Sequence, residues 1–103
     1  MVNFDYDPVN KVMKVTFIGR MDTLAVQKIS EMVQINLTFK ENLQEDQIVF
    51  NLHDVDYISS SFIRICVGVA KQAGTGKFKI VGCQPFIRKT FTISGLDDLL
   101  NIS

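Results

Sequence analysis

The sequence predicts an α/β domain: a mixed sheet of about four to five strands with about three to four helices. The first two strands form an antiparallel hairpin, and the rest are largely parallel. Three observations predict it. Short β-branched runs alternate with amphipathic helical stretches along most of the chain, and such alternation implies parallel pairing through crossovers. The first two apolar runs are joined by a short turn instead of a helix, which implies a hairpin. The chain has 103 residues, 47% of them hydrophobic, which suits one domain over residues 1–103 with its own core.

Val2, Phe4 and Tyr6 alternate with polar residues, the pattern of a half-buried strand. Asp7-Pro8-Val9-Asn10 supplies turn chemistry, because proline presets φ while Asp and Asn suit turn ends. Val12 to Ile18 is the second strand, and Gly19 interrupts it. Asp22 and Thr23 are N-cap candidates. After them Val26, Ile29, Val33 and Leu37 recur on one helical face, with Met32 added, and the helix is expected to end near Lys40.

Gln47 to Leu52 reads as a strand buried on both faces, and His53 to Ile58 as a connection. Ser59-Ser60-Ser61 precedes a second helix, whose apolar positions Phe62, Ile65, Cys66, Val69, Ala70 and Ala73 keep helical spacing up to Gly74. Lys77 to Val81 is another strand. Pro85 opens a third helix carrying Phe86, Ile87 and Phe91. Leu96, Leu99, Leu100 and Ile102 are expected to finish the core, with room for a short last strand.

Charge narrows the function. Eleven Lys and Arg balance eleven Asp and Glu, so there is no basic footprint for nucleic acid. Near-neutrality permits protein–protein contact, a homodimer included. No apolar stretch is long enough for a membrane-spanning helix. The chain's start has neither a basic n-region nor an apolar h-region, so the expected location is cytoplasmic, with Cys66 and Cys83 as reduced thiols.

The chemistry-bearing residues are few. A serine at a helix start caps it by accepting a backbone N–H, but one cap needs one serine and here there are three. The spare hydroxyls lie at the positive end of a helix dipole, where phosphorylation would add about −1.5 to −2 charges without unfolding the helix. Asp54 and Asp56 fit loop solvation better than a metal pair, and His53, the only histidine, stands beside them. No GxSxG elbow is present, and an enzyme is not expected. Gly74-Thr75-Gly76-Lys77 fails as a phosphate loop. Lys71 stands where the first glycine belongs, Phe78 where Ser or Thr is required, and the helix precedes the loop. No metal or cofactor is implied.

Taken together, these landmarks resemble the STAS domain, the fold of the anti-sigma factor antagonists. Phe17-Ile18-Gly19-Arg20-Met21-Asp22 looks like the family's apolar-x-Gly-x-Leu-Asp element. Ile48 to Leu52 with Val55-Asp56-Tyr57-Ile58 looks like its central strand and following loop, and Val81-Gly82-Cys83-Gln84-Pro85 and Ser94-Gly95-Leu96 like its later landmarks. The family's second helix starts with Asp-Ser-Ser/Thr-Gly, whose first serine accepts phosphate. That motif falls on Ser59-Ser60-Ser61-Phe62, so the resemblance implies Ser60 as acceptor, with Ser59 and Ser61 as alternatives. Ser59 replaces the family's Asp, and Phe62 its Gly.

The resemblance implies a regulatory binding module. It captures an anti-sigma factor that is also a serine kinase, is released when that kinase phosphorylates it, and is reset by a phosphatase. The implied docking surface is Asp22, Asp54, Asp56, Tyr57, Ser59, Ser60 and Phe62. Phe62 has two readings, an exposed apolar contact or a core residue in register with Ile65, Cys66 and Val69. The motif departures favour an alternative: an unphosphorylated scaffold, or an accessory subunit of a signalling assembly or transport system.

Overall fold

The computed structural model describes residues 1–38, 47–74 and 76–103, with the side chains of Leu37 and Thr38 left aside. The elements are β1 (Val2–Asp7), β2 (Val12–Met21), α1 (Thr23–Thr38), β3 (Gln47–Ile58), α2 (Ser60–Ala73), β4 (Phe78–Val81), α3 (Pro85–Ile93) and α4 (Asp97–Leu100). They form a four-stranded sheet in the order β1-β2-β3-β4. β1 and β2 are antiparallel, while β2–β3 and β3–β4 are parallel. The expected last strand is a single parallel bridge between Ile80 and Ile102. The expected helix end at Lys40 lies outside the described residues.

The hairpin turn is built by Asp7. Its Oδ1 accepts from the backbone N–H of Val9 and Asn10 at 3.0 and 3.2 Å, and its Oδ2 from Asn10 Nδ2 at 2.7 Å. These bonds, the Asn10 side chain's first, favour the ionised carboxylate and hold Asp7 below the usual carboxylate range.

Alternate residues of β2 (Met13, Val15, Phe17 and Met21) are buried, and they join the buried residues of the helices in one cluster. The core therefore lies between one sheet face and the helices. Through it runs a chain of edge-to-face rings: Phe62 on Phe17, Phe17 on Phe50 and Phe50 on Phe78, with centroids 4.9 to 5.1 Å apart. On the opposite face Val49 is buried outside that cluster. Its cross-strand neighbours are Lys14 and Lys79, whose aliphatic stems suit covering it.

Two expectations about burial change, and one about an element's extent. Met32 is exposed, because it sits to one side of the buried Val26-Ile29-Val33 face. Leu99 is exposed too, while Leu100 is fully buried. The supposed connection His53–Ile58 is strand: β3 runs on to Ile58. Its register against β2 shifts twice, between Thr16 and Ile18 and between Gly19 and Arg20. Each shift is a bulge that places an extra β3 residue against its partner. The bulges bring Leu52, Val55 and Ile58 to the core at spacings of three, where an ordinary strand would use two.

Candidate functional site

Two helices begin side by side at one end of the sheet. β2 and β3 are parallel and end together, with Met21 opposite Ile58, and each leads into a helix. Ser59 N–H donates to the Met21 carbonyl at 2.9 Å, joining the two starts. Asp22 caps α1, its Oδ1 accepting from Ala25 N–H at 2.9 Å. Ser59 caps α2, its Oγ accepting from Phe62 N–H at 3.3 Å.

The three serines have different surroundings. Ser59 is buried, about 9% exposed, and its hydroxyl lies 2.9 Å from that of the half-buried Ser61. The cap therefore engages both. Ser60 is exposed at the first position of α2, and its hydroxyl has no partner among the described residues. Phe62 takes the core reading. It is fully buried against Phe17, so the docking surface inferred from sequence loses its apolar member. The cause is helical geometry, which puts Phe62 on the same face as Cys66 and Val69.

Around Ser60 the surface is polar. Asp54, Asp56 and Tyr57 are exposed on the bulged end of β3. The His53 ring meets Asp54 Oδ1 at 3.0 Å in solvent, as a surface pair. Arg20, a variable position of the Phe17–Asp22 element, joins the site. Its guanidinium lies 3.9 Å from the centre of the Tyr57 ring and 3.4 Å from Asp22 Oδ2, linking residues of both helix approaches. The pairing follows from Arg20 standing opposite Tyr57, a register the second bulge sets. The one sequence signal was an Arg two places before the cap.

A family model for the STAS domain matches residues 3–103. The chain belongs to the STAS domain family. This STAS domain is 34% identical over 68 residues to BtrV of Bordetella bronchiseptica, a protein named as a candidate anti-sigma factor antagonist. That match covers 64% of the chain and spans 59% of the relative's length. Among solved structures, an anti-sigma factor antagonist (STAS) domain protein from Planctomyces limnophilus superimposes with a TM-score of 0.82 at 16% identity, over 99% of this chain and 87% of that one. An anti-sigma factor antagonist from Mycobacterium paratuberculosis gives 0.78 at 16% identity, over 99% and 85%. The anti-sigma factor antagonist SpoIIAA in its unphosphorylated form gives 0.68 at 16% identity, over 90% and 83%. At these identities the likeness is one of fold.

Elsewhere in the STAS domain, burial pushes the Cys66 thiol far up and that of the half-buried Cys83 up to about 11. Both are free thiols. Gly74 terminates α2, its N–H donating to Ala70 O at φ +96°, as the helix-stop reading of the glycine motif requires. Thr75 of that motif lies outside the described residues. Among the described residues no three His, Cys, Asp or Glu side chains converge on one point, and no helix is long and apolar enough to cross a membrane.

Proposed function

We propose that this STAS domain is an anti-sigma factor antagonist of a bacterial cytoplasm, working by partner switching. In its unmodified form it binds an anti-sigma factor that is also a serine kinase. Phosphorylation of Ser60 by that kinase releases it, and a phosphatase restores it. It binds and has no turnover of its own. The observation that carries this reading is the division of labour among the serines: Ser59 and Ser61 are engaged by the cap, and Ser60 alone offers a free, exposed hydroxyl. The helix start tolerates the added charge, so the fold survives. The binding surface does not, because a dianion on Ser60 adds to the carboxylates of Asp22 and Asp56 and outweighs the Arg20 cation paired with Asp22. The names of BtrV and of the structural neighbours support the choice of partner class.

The motif departures favour a second reading, an unphosphorylated scaffold or accessory subunit. Ser59 stands where the family has an acid, and Phe62 closes a position otherwise held by glycine. Phosphosite mapping decides between them. The protein is isolated from its native host under phosphatase inhibition, beside a Ser60→Ala control. Phosphate on Ser60, lost in the control, is the expected result. A clean spectrum in growth and stress overturns it in favour of the scaffold.

A further inference from the structure

The outer face of α1 is neither core nor ordinary solvent-facing surface. Leu24, Lys28, Glu31 and Ile35 follow one another at spacings of four, three and four, so they form a single stripe along the helix. The stripe points away from the buried Val26-Ile29-Val33 face. All four are exposed, Leu24 at 63% and Ile35 at 48%. Beside it Met32, 45% exposed, lines a groove of about 530 Å³ together with Leu24, Lys28 and Ile29, and Arg20 and Asp22 line the groove's far end. Two large apolar residues at the ends of a stripe, with a cation and an anion between them, form a self-complementary pattern.

From this pattern we propose that α1 is a homodimer interface and that its occupant is a second copy of this chain. A two-fold axis running beside α1 on the stripe side, level with the Ile29–Ser30 peptide, sets two copies of the helix antiparallel. In that register Leu24 meets Ile35 of the other copy, and Lys28 meets its Glu31. The two-fold repeats both contacts, so two apolar pairs flank two ion pairs. Met32 of each copy then sits opposite the other's Gln27. No net charge opposes the approach, since acidic and basic residues are equal in number. Such a contact lies at the small end of interface sizes, which makes it a weak, concentration-dependent dimer. It does not rest on the reading of Ser60.

Sedimentation of the purified protein from about 1 µM to about 1 mM tests it, this being the range where small interfaces associate. The expected result is a shift from one copy to two. Leu24→Glu and Lys28→Glu should each weaken association by about tenfold or more, and Lys28→Glu combined with Glu31→Lys should recover it, because the pair is rebuilt with its signs exchanged. All these positions are exposed, so thermal midpoints should stay put; Leu24→Gln replaces Leu24→Glu if the charge disturbs folding. A monomer throughout the range overturns the inference and leaves the stripe to a different protein. A dimer indifferent to Leu24→Glu, or one that the double exchange fails to recover, overturns it equally.

Discussion

Phe62 and Ser59 are three positions apart and hold the start of α2 by different means. Phe62 anchors it through burial against Phe17, and Ser59 through one hydrogen bond. Emptying a buried aromatic site costs about 3–5 kcal/mol, and losing a cap about 1 kcal/mol. Denaturant unfolding should therefore rank Phe62→Ala as severe, Ser59→Ala as moderate and Ser60→Ala within about 0.5 kcal/mol of the parent. Asp7 offers a second check at this scale. Its pKa is depressed in the folded chain, so its stabilising effect is present above the unfolded value and lost as pH falls through the folded one. An NMR titration should find Asp7 below the ordinary carboxylate range, and Asn10→Ala should move it back up. At the residue scale the sequence showed which side chains crowd the site but not which were free. Three serines in a row look alike until the cap selects Ser59. The partner of Arg20 depended on a register that two bulges decide.

Among elements, β3 was the hardest to read. Its buried residues in the second half come every third position, which resembles neither a strand nor a helix, so the segment read as a connection. Bulges are written in pairing and not in composition. The hairpin, the three longer helices and the parallel sheet were legible because their periodicity is regular and because Asp22, Gly74 and Pro85 mark helix boundaries. Two glycines separate backbone need from side-chain room. Gly68 lies exposed inside α2, where an added Cβ would touch nothing within 4 Å. Gly68→Ala should raise stability by about 0.5–1 kcal/mol. Gly82 holds φ at +75°, and a Cβ there would come within 3.0 Å of Asn51 Oδ1 and 3.3 Å of His53. Gly82→Ala should lower stability by about 1 kcal/mol or more, read in the same unfolding experiment.

For the whole molecule, one core joins the sheet to all four helices, so unfolding should be cooperative. The thiols report on it. Cys66 is fully buried and Cys83 half-buried, and both are pushed up in pKa, which suppresses the reactive thiolate. At pH 7–8 a disulfide-exchange reagent should label Cys66 at the rate of global opening and Cys83 faster, and both at once in denaturant.

The bond from Ser59 N–H to the Met21 carbonyl also sets what a partner can expect on arrival. It is the last rung between the two parallel strands, and Phe62 pins the helix just beyond it. The amide of Ser59 should thus exchange its proton for deuterium as slowly as amides of the central strands, although Ser60 beside it is exposed. Any protein that docks on this corner therefore meets a surface already shaped, because peeling the segment away would open the core.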